Sequence, residues 1–255
     1  MTDILILGAA GKMGGQVLSL LRNDKDARAV CGVDKYPAEL DIPVYKDFSE
    51  VKEQADVIVD FSSAENLKER LDYAAEHKMG IVLATTGFTE EDLRLIDEYS
   101  EKIAVFRSAN LSLGINLMQA LCKAAAKVLG EAFDIEIIEK HHNRKKDAPS
   151  GTALMLADSI NEVFDGKKRY VEGRSGMVGA REKAEIGIHA VRGGTIVGEH
   201  EVMFAGEDEI LTISHSAGSR RVFAAGAVRA AKFLKGKAPG KYDMKDLLAE
   251  ENAED

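Results

Sequence analysis

Within the ten residues His141-His142-Asn143-Arg144-Lys145-Lys146-Asp147-Ala148-Pro149-Ser150 the chain crowds two imidazoles and three permanent cations, and Gly151 and Thr152 follow at once. Like charges this close repel unless an anion sits among them. Ser150 is a good N-cap, and Pro149 helps to fix the entry to a helix. Such a helix start turns backbone N–H groups and hydroxyls toward an anion, with Gly151 permitting close approach. Histidine is the side chain that gives up a proton near neutral pH. The predicted chemistry is therefore capture of a carboxylate, with Lys145 as a point-charge partner, beside an atom that receives a proton from an imidazole. A solvated basic loop or a localisation signal is the plainer alternative. A metal held by His141, His142 and Asp147 is a poorer one, because adjacent residues of an extended strand face opposite ways, and no metal is expected. His77, His189, His200 and His215 are scattered and receive no role.

A second cluster lies near the start. Gly8-Ala9-Ala10-Gly11-Lys12-Met13-Gly14 follows an apolar run and opens an amphipathic stretch. Glycines in a strand–loop–helix turn allow the tight bend and the close approach of backbone to a pyrophosphate. The spacing is G-x-x-G-x-x-G, a variant of the commoner G-x-G-x-x-G, and alone it is weak. Asp34 strengthens it, ending the next apolar run about 20 residues on, where ribose hydroxyls are read. Gly8, Ala9, Ala10, Gly11, Lys12, Met13, Asp34 and Lys35 are thus expected to hold a dinucleotide, against the plainer reading of glycines that only serve packing. Asp34 suits an unmodified ribose and Lys35 with Lys12 suits a 2′-phosphate, so NADH and NADPH both stay open. Ala84, Thr85 and Thr86, and Ser108, Ala109, Asn110 and Leu111, fall where later strands end, which is where open α/β sheets bind ligands. They are expected to line the nicotinamide half, although ordinary loops use the same residue types.

The elements that must carry these clusters show in the hydrophobic periodicity. Apolar runs at 4–7, 29–33, 57–60, 80–84 and 103–106 alternate with amphipathic stretches at 13–22, 64–76 and 90–100. Such alternation predicts a parallel sheet with helices on both faces. Residues 113–129 read as one long apolar helix, 135–140 as a strand entering the cationic run, and 152–163 as the capped helix. Runs at 185–192, 195–204 and 209–216 read as sequential strands, with Gly193-Gly194 and Gly206-Glu207-Asp208 as their turns, and 222–234 is helical again. The expected fold class is α/β. A Rossmann-like parallel-sheet dinucleotide-binding domain at 1–112 and 217–255 is interrupted by an inserted α+β domain at 113–216. The insert carries a mixed or antiparallel open sheet and the cationic run expected to bind substrate.

With 255 residues, 45% of them hydrophobic, the chain can bury a sizeable core. A net charge of -9 argues against nucleic acid or an anionic membrane surface as main partner and makes the local cationic run more telling. No apolar run approaches the roughly 20 residues of a membrane span, and the first residues lack the features of a signal peptide, so a cytoplasmic protein is expected. Cys31 and Cys122 sit in apolar segments and read as free buried thiols. The acidic tail from Glu250 is expected to fray.

At this point the residues resemble a known family. The run from Glu139 through Lys140, His141 and His142 to Ser150, Gly151, Thr152, Ala153 and Leu154 is similar to the signature of the 4-hydroxy-tetrahydrodipicolinate (dihydrodipicolinate) reductases of bacterial diaminopimelate and lysine synthesis. The likeness extends over nearly the whole chain, through the glycine loop, Thr85-Thr86-Gly87-Phe88, 110–116, Val191-Arg192-Gly193-Gly194 and 198–201. It implies an oxidoreductase that moves a hydride from NADH or NADPH to C4 of a cyclic imine dicarboxylate, giving tetrahydrodipicolinate, in a homotetramer. It also implies His141 as general acid, Lys145 as second catalytic residue binding a substrate carboxylate, and His142, Gly151 and Thr152 as substrate holders. Ala84 stands where the family commonly has Gly, Lys35 replaces a frequent Arg, and Asn143-Arg144 often reads Arg-His, so those two are not expected to be essential. Other two-domain nicotinamide enzymes, such as a homoserine or semialdehyde dehydrogenase, and a nicotinamide-sensing regulator are the alternatives. An acylating semialdehyde dehydrogenase needs a nucleophilic cysteine, for which Cys122 in an apolar helix is poorly placed. A regulator needs no proton donor.

Overall fold

In a computed structural model that describes residues 1–251, the backbone divides into two compact units. One is Met1–Ser112 with the chain from Arg220 onward, and the other is Leu113–Ser219.

The first unit begins with β1 (Thr2–Leu7), α1 (Lys12–Leu21), β2 (Ala27–Val33), a two-residue β3 (Val44–Tyr45) and β4 (Val57–Asp60). It continues through α2 (Leu67–Glu76), β5 (Gly80–Leu83), α3 (Glu90–Ser100) and β6 (Ala104–Arg107). The strands are all parallel, in the order β3-β2-β1-β4-β5-β6, with a seventh strand from the C-terminal segment beyond β6. The order reverses between β1 and β4, and there the crevice of a doubly wound sheet opens. β1, β4 and β5 are runs of Ile, Leu and Val because both faces of the sheet are covered. Leu71 and Ala74 of α2 and Ile96 and Tyr99 of α3 pack on Leu5, Ile58, Ile81 and Val105. Thr89 starts α3 with a capping box, its hydroxyl accepting from Asp92 N–H while the Asp92 carboxylate accepts from Thr89 N–H.

The second unit holds α4 (Leu113–Leu129), β7 (Asp134–His141), α5 (Gly151–Asn161), β8 (Arg169–Glu172), β9 (Glu185–Arg192), β10 (Glu199–Ala205) and β11 (Ile210–Ser216). Its sheet order is β11-β10-β7-β9-β8. The sheet is mixed: β10 runs antiparallel to β7 and β11, while β7, β8 and β9 are parallel. Here one expectation is corrected. Gly193-Gly194 does not close a hairpin, because β7 lies between β9 and β10 and pairs with both. Ile115, Met118 and Cys122 of α4 and Leu156 and Ile160 of α5 bury one face of this sheet. β7 alternates strictly, so Ile135, Ile137, Glu139 and His141 all point to that buried face. Its inward row is thus apolar for two residues and ionisable for the next two.

The chain returns to the first unit with α6 (Arg221–Leu234), β12 (Gly240–Tyr242) and α7 (Met244–Glu251). α6 packs on β4, β5 and α1. Its buried face is mostly of small residues, Ala224, Gly226, Ala227, Ala230 and Ala231, with Val228 and Leu234. Glu250 and Glu251 continue α7, where a frayed tail was expected, and Glu250 pairs with Lys237. The rest of that tail, residues 252–255, lies outside the described residues. No helix among the described residues is long and apolar enough to cross a membrane. Cys31 and Cys122 are free and buried, and burial pushes each thiol up to about 12.

Candidate active site

The buried polar end of β7 is the centre of the second unit's site. Glu139 is wholly buried and His141 is 9% exposed. His141 Nδ1 lies 2.6 Å from Glu139 Oε2. Arg192 donates to both oxygens of Glu139 at 2.7 Å, and Ser150 N–H donates to Oε1 at 3.0 Å. The strand register explains the meeting, since Arg192 is the β9 partner of His141 and His200 is the β10 partner of Glu139. Burial alone would raise the Glu139 pKa. Arg192, His141 and the Ser150 N–H outweigh it and hold the carboxyl below its usual range.

The cationic run leaves β7 and turns into α5. Gly193 N–H donates to the His141 carbonyl at 2.9 Å, and Lys145 N–H to the His142 carbonyl at 3.1 Å. The Lys145 ammonium pairs with Asp147 at 2.9 Å, and Arg192 also donates to the Asp147 carbonyl at 2.8 Å. Ser150 caps α5, its hydroxyl accepting from Ala153 N–H at 3.2 Å. Gly151 is exposed, and a Cβ on it would meet nothing within 4 Å, so open space faces the helix start. His142 and Thr152 are half-buried. His141 and the Ser150 N-cap thus meet on one buried carboxylate, and His142, Lys145, Gly151 and Thr152 are their near neighbours along the chain.

Three participants were not anticipated as site residues: Glu139, Arg192 and His200. His200, one of the scattered histidines, has Nε2 3.1 Å from Ser150 Oγ, and its ring meets that of His141. Burial first, and then the neighbouring His141, lower its pKa to about 4. The available signal was parity: Glu139 shares the inward face of β7 with Ile135 and Ile137, where a lone carboxylate requires partners.

The first unit carries the other cluster at its switch point. Gly8 ends β1 in the left-handed region at φ 75°, and a Cβ there would stand 3.0 Å from the Phe61 carbonyl. Gly11 is the N-cap of α1 and offers no side-chain cap, so the first turn keeps its N–H groups for a ligand. A cavity of about 610 Å³ is lined by Gly8, Gly11, Asp34, Lys35, Lys46 and Arg70 among others. Asp34 accepts the Ala10 N–H at 3.0 Å and the Tyr36 N–H at 2.9 Å. Lys12 and Ala10 are exposed, Met13 is half-buried, and Ala9 is buried. This glycine cradle, uncapped helix and acid fit a dinucleotide. Ala84, Thr85 and Thr86 follow β5, and Ser108, Ala109, Asn110 and Leu111 follow β6, at the same carboxyl edge, but they are not among the residues lining that cavity. Thr85 Oγ1 lies 3.4 Å from Asp60, and Ser108 Oγ donates to the Asn110 carbonyl at 2.9 Å. Leu111 is buried. Arg70 was missed from sequence. It lies 3.1 Å from the buried Asp60 and donates to Ser62 and the Ser63 carbonyl at the cavity wall.

Known proteins resemble this chain over both units. The family descriptions "Dihydrodipicolinate reductase, N-terminus" and "Dihydrodipicolinate reductase, C-terminus" match residues 2–111 and 114–248. A protein of Caldanaerobacter subterraneus subsp. tengcongensis named 4-hydroxy-tetrahydrodipicolinate reductase is 56% identical over 248 residues, covering 97% of this chain and 98% of its own. One of the same name from Clostridium tetani is 48% identical over 249 residues, with 97% of each covered. The dipicolinate-bound dihydrodipicolinate reductase from Paenisporosarcina sp. TG-14 superposes with a TM-score of 0.78 at 27% identity, covering 95% of this chain and 97% of that one. Likeness over both units, at these identities and coverages, places the chain in the dihydrodipicolinate reductase family.

Proposed function

We propose that in this reductase of diaminopimelate and lysine synthesis His141 delivers the proton and Lys145 with the α5 start holds a substrate carboxylate. The observation that carries the reading is the 2.6 Å contact of His141 Nδ1 with Glu139 at the mouth of a capped, open helix start. The substrate is a cyclic unsaturated imine dicarboxylate. The dipicolinate bound by the Paenisporosarcina relative is a dicarboxylate of the same ring size.

When bound, the reduced nicotinamide supplies a hydride to ring C4. Gly8, Ala9, Ala10, Gly11, Lys12 and Met13 would hold the pyrophosphate, and Ala84, Thr85, Thr86, Ser108, Ala109, Asn110 and Leu111 the nicotinamide half. With hydride added at C4, an electron pair collects on the neighbouring ring carbon, and His141 gives that carbon the proton from Nε2. Substrate thus gains one hydride and one proton, and His141 is left neutral with its Nδ1–H on Glu139. General acid help of this kind is worth about 10²–10⁴-fold. Lys145 shares its ammonium between Asp147 and the incoming carboxylate, and His142, Gly151 and Thr152 complete the cradle.

Both NADH and NADPH serve. Asp34 takes the ribose hydroxyls, while Lys35 and Lys46, which line the same cavity, take a 2′-phosphate. The protein works in the cytoplasm as a homotetramer. Ile210 and Leu211, exposed on the edge strand β11, support assembly through the second sheet. A coupled assay with freshly formed substrate and each cofactor tests the activity, and His141→Gln tests the donor. Normal turnover in that variant would remove His141 from the mechanism.

A further inference from the structure

The four donors on Glu139 fill both of its oxygens. Oε1 takes Arg192 Nη2 and Ser150 N–H, and Oε2 takes Arg192 Nη1 and His141 Nδ1. A carboxylate has about four acceptor sites and, when ionised, no hydrogen to give. His141 Nδ1 must therefore carry the hydrogen of their contact. The ring's remaining nitrogen, Nε2, faces Gly198, where a Cβ would stand 3.1 Å away, so the backbone there leaves it uncrowded. Glu139 also reaches the carboxylate cradle, because the Ser150 N–H it accepts belongs to the N-cap of α5.

We propose that Glu139, clamped by Arg192, is the positioning residue of the reaction: it fixes His141 as the Nδ1–H form, leaves Nε2 as the proton-delivering atom, and ties that donor to the helix start that holds the substrate. The proposal rests on His141 as donor. A buried carboxylate that accepts from an imidazole fixes its tautomer and ring orientation and steadies its protonated form. Glu139 itself touches no reacting atom. Arg192 compensates its buried charge and holds its plane by a two-pronged contact.

Wild type, Glu139→Gln, His141→Gln and the double variant are compared as intact protein. Turnover, cofactor affinity by nicotinamide fluorescence, and the His141 ring nitrogens by 15N NMR, at a pH where the imidazole is neutral, are measured. Glu139→Gln is expected to lower kcat about 10²–10⁴-fold with substrate KM and cofactor affinity nearly unchanged. It should move neutral His141 from the Nδ1–H to the Nε2–H form. The double variant should lose no more than His141→Gln alone, since Glu139 acts through His141. A slow His141→Gln beside a Glu139→Gln of normal kcat and unchanged tautomer overturns the positioning role while leaving the donor. Normal turnover in His141→Gln overturns both. Should the stranded Arg192 cation prevent Glu139→Gln from folding, Glu139→Gln/Arg192→Gln removes both charges together. The same loss of kcat at unchanged cofactor affinity is expected of it, and full activity in that pair overturns the proposal.

Discussion

His141 and His200 meet edge to face across the β7–β10 ladder, ring centroids 5.2 Å apart and planes at 75°. His200 is held neutral, its pKa lowered to about 4 by burial and by His141. In the unfolded chain it takes a proton at about 6.5. Between those two values the unfolded state binds more protons, so stability is full above pH 6.5 and falls as the pH drops toward 4. The full contribution is on the order of 3 kcal/mol. Urea midpoints of wild type and His200→Asn across this window should separate, the variant showing the shallower decline. Parallel curves would refute the linkage.

Lys145 tests the anion cradle. In the proposed role its loss removes a charge-assisted contact worth about 1.5–3 kcal/mol, so Lys145→Ala should raise the substrate KM roughly tenfold to a hundredfold and also slow turnover. Asp147→Asn frees the ammonium from its internal partner and should not raise KM. Steady-state kinetics on the two variants decide the matter, and an unchanged KM and kcat in Lys145→Ala would dispose of the anchor.

Asp34 and Lys35 should pull cofactor choice in opposite directions. In the proposed role Asp34→Ser removes the ribose acceptor and its repulsion toward a 2′-phosphate, and it should shift kcat/KM toward NADPH by about tenfold, the worth of one contact. Lys35→Ala should shift it toward NADH. Movement of both ratios in the same direction would show that these residues do not read the ribose.

Glu136 sits on the opposite face of β7 and accepts from Arg174, Arg181 and His189. Burial would raise its pKa, but those partners prevail and hold it at about 2, against an ordinary 4.5. Its contribution, on the order of 2–3 kcal/mol, is full above pH 4.5 and drains as the pH falls toward 2. Glu136→Gln should lower the melting temperature at pH 7 by several degrees, about 2–4 °C per kcal/mol for a chain of this size. The gap should narrow in acid, and a gap undiminished at pH 2.5 would contradict the assignment.

The sequence disclosed elements that follow from local pattern. Val57–Asp60, Glu90–Ser100, Leu113–Leu129 and Glu185–Arg192 stand at the bounds expected from periodicity, because run length and capping are local properties. Pairing is not local. Gly193-Gly194 looked like a hairpin turn, yet β9 pairs with β7, some fifty residues earlier, and no signal in a single chain announces a parallel partner. The same distance hid Arg192 from Glu139. Strands of two to four residues at sheet edges, Val44–Tyr45, Arg169–Glu172 and Gly240–Tyr242, are too short to show a period. The histidines and lysine proposed for the site were singled out because their chemistry is crowded into ten adjacent residues. The carboxylate that organises them was only one acidic residue among many.

The discontinuity of the first unit sets a timetable for synthesis. Its covering helix, α6, and its seventh strand, β12, are made only after Leu113–Ser219, which is contiguous. On a ribosome adding about 5–20 residues per second, the unit that bears His141 is complete while β4 and β5 still lack their α6 cover. The half of the protein encoded first is the half that finishes last. Nascent-chain proteolysis should find a protected second unit before the N-terminal sheet resists cleavage.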